Sequence, residues 1–228
     1  MRWSVESRER LIHSALFLLL RTPVIFILGF AILPGLLGME DLLDGSVTGV
    51  LLLVFILGLF DVGLMFGVGL MKIGRVPDMR SLGWRWEKPG KNLALGVLGF
   101  VLCMLGLFLG LWVQTGGVPF GELFQQMASF SLTQRLCFIA IGLLGAAIVE
   151  ESFYRGYLQP AMISRFGAVG GIIATAIIFD LAHMNFKPAA LISKLVSGLV
   201  FGFLRGKDGS LMAPAIAHAL FWFVVGSI

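Results

Sequence analysis

Apolar residues in this chain come in long, nearly unbroken runs, without the period-two alternation of a half-buried strand or the one-sided stripe of a surface helix. Seven runs are long enough to cross about 30 Å of hydrocarbon at 1.5 Å per residue. They cover approximately 11–37, 47–71, 92–113, 134–158, 168–185, 189–205 and 210–227. The connections are short, so the chain reads as one integral membrane domain over 1–228. Two connections carry a pattern of their own. Gly74 to Gly90 places Trp84 and Trp86 on either side of Arg85, which suits a segment lying at headgroup level. Pro119 to Phe130 mixes apolar and amide side chains at helical spacing and is expected to lie in the opposite interface.

Composition turns the pattern into a class. The chain is 58% hydrophobic and only 13% charged, against about 25% charged in a typical soluble domain. Backbone polar groups in lipid must be satisfied within the chain, and runs of this length do that as helices. The expected fold is therefore all-α, a polytopic transmembrane bundle of about seven helices. The net charge of +4 does not point to nucleic acid, because the basic residues are scattered at the ends of apolar runs rather than gathered on one face. They report orientation instead. With the N-terminus inside, fourteen of the 17 Lys and Arg residues fall on the inner side, and only Arg135, Lys187 and Lys194 on the outer side. That predicts N-terminus in and C-terminus out. Arg21 and Pro23 interrupt the first run and no small-residue cleavage site follows, so it reads as a retained helix. The expected location is a multi-pass position in a cell membrane, the bacterial inner membrane. Cys103 and Cys137 lie inside apolar runs and are expected as buried free thiols. Close helix packing is expected at Gly142, Gly145, Gly198 and Gly202.

The chemistry is signalled by charge where a membrane helix should have none. Glu150-Glu151-Ser152-Phe153-Tyr154-Arg155 closes the apolar run that ends at Val149. One charged side chain near the centre of a membrane helix costs roughly 2.5–3.5 kcal/mol, so two adjacent glutamates must be paired, hydrated or used. On an α-helix Glu151 and Arg155 are four apart and neutralise one another, while Glu150 points about 100° away. His183 and His218 lie in similarly apolar surroundings. A carboxylate and two imidazoles activate water either as ligands of a metal or as a base with hydrogen-bonding partners, and the sequence leaves both open. Asp180, three residues before His183, is placed to orient the imidazole or stand in as a ligand. Asp61, set among glycines, reads as a hydrogen-bond acceptor inside the bundle.

Glu150-Glu151-x-x-x-Arg155, Phe179-x-x-x-His183, and His218 following Gly198, Gly202 and Ser210-Leu211-x-x-Pro214 occur in order. Together they resemble the three motifs of the CAAX protease and bacteriocin-processing family of intramembrane proteases, also called the Abi family. The likeness spans roughly 134–222. It implies that Glu150 is the base or metal ligand, that Glu151 is its partner tied to Arg155, that His183 orients the water, and that His218 binds the water or the oxyanion. A divalent metal such as zinc, or no metal, is compatible with the family's chemistry. The chain departs from the family where an Asn or Asp usually follows the last histidine by three or four residues, since Phe221 and Trp222 stand there. An indole N–H donates one hydrogen bond but neither accepts one nor ligates a metal.

The resulting expectation is an intramembrane endopeptidase. It would hydrolyse a peptide bond of a membrane-associated protein or peptide by glutamate- and histidine-activated water, with the lipid bilayer as its environment and no nucleic-acid partner. The alternatives are a non-catalytic scaffold or immunity protein of the same family, and a proton-coupled transporter that uses the Glu/His/Asp cluster as a relay. Inverted repeats or broken helices, which a transporter would show, are not visible in the sequence.

Overall fold

The computed structural model of the protein describes residues 5–27 and 78–225. The predicted span 47–71, Asp61 and the Cys137 side chain lie outside the described residues. Every regular element among the described residues is helical: α1 (Val5–Phe26), α2 (Met79–Leu82), α3 (Pro89–Thr115), α4 (Phe120–Ser129), α5 (Leu132–Ala140), a π-helix (Ile141–Leu158), α6 (Gln159–Leu181), α7 (Pro188–Asp208) and α8 (Met212–Val225). Three stretches are long and apolar enough to cross a membrane, namely Pro89–Thr115, Gly142–Leu181 and Pro188–Asp208, and Met212–Val224 is a shorter apolar helix.

Helix α3 shows how such a chain chooses its inner face. Pro89 starts it, where the missing N–H would have no helical partner. Its buried positions are Asn92, Gly96, Gly99, Cys103, Gly106 and Gly110, while Leu98, Leu105 and Trp112 face outward. The large apolar side chains face outward and the small ones meet protein, the arrangement expected where lipid is as apolar as leucine and association rests on close backbone contact. Helices α7 and α8 occupy this small-residue face. A Cβ on Gly96 would stand 2.6 Å from the Ile216 side chain, one on Gly106 2.7 Å from Val196, and one on Gly110 2.6 Å from the carbonyl oxygen of Ala189. The last obstacle is backbone and cannot rotate away. Gly110→Ala is therefore expected to destabilise by about 1–3 kcal/mol through overpacking, read as a lower unfolding temperature in detergent. Gly145→Ala, where a Cβ meets nothing within 4 Å, should leave the unfolding temperature unchanged. Gly145 is thus not a packing contact, whereas Gly142 (against Trp222), Gly198 (against Ala176) and Gly202 (against Ile172) are.

The apolar stretch Gly142–Leu181 is not one straight rod. At Gly167 the backbone takes φ 74° and ψ 173°, outside any helix and accessible to glycine at little cost. The chain reverses there, bringing Gly171 against the backbone of Ile163. The second half of α6 then pairs with α7 in antiparallel register, Gly202 on Ile172 and Gly198 on Ala176 one turn further along. Helix α1 docks on the π-helix and α6 through the cluster of Phe17, Phe153, Tyr154, Leu158 and Phe179. Its His13 Nδ1 and the Tyr157 hydroxyl share a 2.8 Å hydrogen bond.

The stretch 78–88 forms a cap clamped onto one end of the bundle. Leu82 is 1% exposed and packs with Tyr157 and Leu211. Gly83, at φ 109°, closes α2 in a left-handed conformation, and a Cβ there would lie 2.9 Å from the Arg205 guanidinium. Arg205 Nη2 donates to the Leu82 carbonyl, the Leu211 N–H donates to Gly83, and the Ser210 hydroxyl donates to Arg85. Of the two expected headgroup-level indoles, Trp86 is exposed, but Trp84 donates its Nε1–H to Ser152 at 2.9 Å.

Candidate functional site

The expected motif lies in the π-helix, whose wider winding is seen where the Gln159 N–H bonds the carbonyl of Tyr154, five residues back. Residues Glu151 to Gln159 are all buried. Burying a carboxylate and a guanidinium together is tolerable only if each is paired and hydrogen-bonded. Both conditions hold here. Arg155 Nη1 donates to Glu151 Oε1 at 3.0 Å, with both side chains 0% exposed. Arg155 Nη2 points to the Gly198 carbonyl at 3.4 Å, and the guanidinium lies over the rings of Phe179 and Phe201 at 4.3 and 5.0 Å. Four residues along a helix bring the pair together despite the π winding.

Glu151 Oε1 also takes His218 Nδ1 at 2.8 Å. An acceptor already tied to Arg155 fixes His218 as the Nδ1–H donor, which turns Nε2 toward Glu150. The ring is stacked on Phe201 with centroids 4.7 Å apart. His183 is set the same way by a different acceptor, because its Nδ1 lies 2.6 Å from the Phe179 carbonyl, which can only accept. Its Nε2 lies 3.9 Å from Glu150 Oε1, and His218 Nε2 lies 3.9 Å from Glu150 Oε2. Glu150 is less buried than Glu151, with 23% of its side chain exposed.

Residues 132–224 match the family described as Type II CAAX prenyl endopeptidase Rce1-like. The match contains every residue of the cluster, and it leaves residues 1–131, the cap and α3 included, outside it. No curated protein and no solved structure matches the chain. Residues 132–224 are thus similar to a protease family, and three helices of the chain are long and apolar enough to cross a membrane.

The five residues singled out from the sequence, Glu150, Glu151, Arg155, His183 and His218, come together within this Rce1-like segment. Other expectations do not hold. Asp180 does not orient His183, since the Phe179 carbonyl one turn back occupies Nδ1. Asp180 is buried instead, with Oδ1 lacking a hydrogen-bond partner among the described residues. Phe221 packs on the core of Cys103, Phe201, Leu204, Ala213 and Ala217, and Trp222 packs on Gly142, so the position of the family's Asn is given to packing. Cys103 is a buried free thiol, as expected.

Sequence reasoning missed Lys194. Counted as an outer-side charge, it lies within α7, where Glu150 and Asp180 both act on it. Its signal was available, since a lysine inside the run 189–205 is as anomalous as a glutamate before Arg155.

The donor types facing one another, two imidazole Nε2 atoms and a carboxylate, are those of a His2Glu zinc centre. Their spacing is wider than the roughly 3.3 Å between ligands of a tetrahedral zinc, and among the described residues no group of three or more His, Cys, Asp and Glu is arranged to hold a metal. As arranged, these residues do not fit a metal.

Proposed function

We propose that the protein is an intramembrane endopeptidase in which Glu150 is the general base. The observation that carries this reading is the bracketing of the Glu150 carboxylate by His183 Nε2 and His218 Nε2, each at 3.9 Å. That distance is too long for a direct hydrogen bond and suits one water held between carboxylate and imidazole. In the proposed reaction the water donates one hydrogen to Glu150 and the other to a bracketing imidazole. Its oxygen attacks the peptide carbonyl as Glu150 takes the proton, giving a tetrahedral intermediate with the negative charge on the former carbonyl oxygen. The C–N bond then breaks, and Glu150 returns the proton to the leaving nitrogen. Glu151 and Arg155 are positioning residues: they hold His218 by its far nitrogen. The aromatic surroundings exclude bulk water and strengthen each of these interactions.

The family's name supports a substrate of lipid-anchored character, a peptide with a prenylated CAAX terminus. Fourteen inner-side basic residues support an N-terminus-in arrangement with the site opening to the cytoplasmic half of a bacterial inner membrane.

The test is cleavage in proteoliposomes of a farnesylated CAAX peptide and, separately, of an unmodified transmembrane peptide, by wild type and by Glu150→Gln. Cleavage of either by wild type alone supports the reading. Cleavage of neither leaves the bundle a non-catalytic scaffold. Because the donors are spaced for water, activity is expected to survive dialysis against EDTA. Activity lost on dialysis and restored by zinc would instead make the two imidazoles metal ligands.

A further inference from the structure

Around the bracketed carboxylate the two imidazole Nε2 atoms are acceptors, and the Arg155 guanidinium, whose Nε has no hydrogen-bond partner among the described residues, is 0% exposed and shut away from a substrate. Arg155 is held by Glu151 and the Gly198 carbonyl, and His218 gives its Nδ1–H to Glu151. His183 gives its own to Phe179. A peptide carbonyl attacked beside Glu150 would develop an anionic oxygen with no accessible donor among these groups, and stabilising that charge is usually the largest single term in catalysis.

The register of the α6–α7 hairpin supplies the missing group. Gly202 lies on Ile172 and Gly198 on Ala176, so one further helical turn places Lys194 of α7 opposite Asp180 of α6. Gly198 is the residue whose carbonyl meets Arg155, so Lys194 is one turn along the same face from the Glu151–Arg155 pair. Both Glu150 and Asp180 act on the Lys194 charge, yet among the described residues no carboxylate lies within 4 Å of it. Asp180, for its part, is 8% exposed with Oδ1 lacking a hydrogen-bond partner among the described residues. A lysine and a carboxylate at matching register in an apolar hairpin, without closing an ion pair, leave the cation available to a third group.

We propose that Lys194 is a further catalytic residue, whose ammonium stabilises the oxyanion formed at the scissile carbonyl while Asp180 holds the lysine in position. This rests on the protease reading above. Lysine suits the role because its charge sits on a flexible four-carbon stem with three donors, able to follow an oxygen as it becomes tetrahedral.

The experiment compares wild type, Lys194→Met and Lys194→Arg in proteoliposomes with the farnesylated CAAX peptide. It also measures binding of the intact uncharged-amide peptide and of its phosphonate analogue, which carries a tetrahedral anion at the scissile position. Lys194→Met is expected to lower kcat by about 10²–10³-fold, the loss seen on removing one oxyanion donor, with KM nearly unchanged and Lys194→Arg recovering part of the rate. The same variant should lose affinity for the phosphonate but not for the amide peptide, and the retained amide binding shows that it is folded. Unchanged kcat, a rise confined to KM, or equal loss of both ligands would overturn the assignment while leaving Glu150 as base. Wild type that cleaves nothing would remove the protease reading, and this inference with it.

Discussion

Glu150→Gln is expected to lower kcat by about 10²–10⁴-fold, the usual contribution of a general base, with little change in KM or in the unfolding temperature. The amide has nearly the carboxylate's shape but cannot take a proton from water. The side chain is 23% exposed and forms no part of the buried ion pair, so removing its charge should not unsettle the bundle. Steady-state rates in proteoliposomes and thermal unfolding in detergent measure both halves of the claim. Glu150→Gln combined with His183→Ala should be little worse than either alone, because members of one catalytic unit lose activity non-additively. A Glu150→Gln protein that retains a tenth of the wild-type rate would assign the base to another residue.

Arg155→Met carries the largest expected cost to the fold, about 3–5 kcal/mol, because it strands one member of a buried pair. Glu151 is 0% exposed, and without Arg155 its charge is left with His218 as its remaining hydrogen-bond partner. The loss also removes the cation that lies over Phe179 and Phe201. The variant should express poorly and unfold at a lower temperature. Adding Glu151→Gln should recover most of that stability, since replacing both members of a buried pair is far less damaging than removing one. An Arg155→Met protein that unfolds with wild type would show that the pair contributes nothing to the bundle.

Of the apolar runs, the one read at 189–205 was legible because lipid imposes a length, and it appears as Pro188–Asp208. The Glu151–Arg155 contact was legible because a four-residue spacing is short-range geometry. The run at 134–158 and the run at 168–185 are joined in one helical stretch that breaks at Gly167, and His183 reaches Glu150 across that break. What escaped was set by competition or by distant chain. Asp180 shares a face with His183, but spacing says nothing of a backbone carbonyl one turn back that reaches the imidazole first. Lys194 was absorbed into a charge count that assigns every lysine to a side of the membrane. Gly142 and Gly145 look alike in sequence, yet only Gly142 meets a neighbour, Trp222, which lies 80 residues downstream by number. The π winding of Ile141–Leu158 follows from no composition signal.

The cap over the bundle has a consequence for the order in which the protein is assembled. Its contacts join Leu82 to Arg205 and Arg85 to Ser210, pairs separated by 123 and 125 residues. At about 5–20 residues per second of synthesis, the ribosome needs roughly 6–25 s after making the cap before its clamps exist. During that interval Leu82 has no Leu211 to receive it, and Trp84 meets Ser152 only once 68 further residues are made, so the stretch 78–88 must wait at the membrane surface. Its arginines and indoles, residues at home among lipid headgroups, suit it to that wait. Sealing this end of the bundle is thereby tied to emergence of the α7–α8 connection, whereas a nascent chain stopped before Ser152 should leave Trp84 open to solvent quenchers.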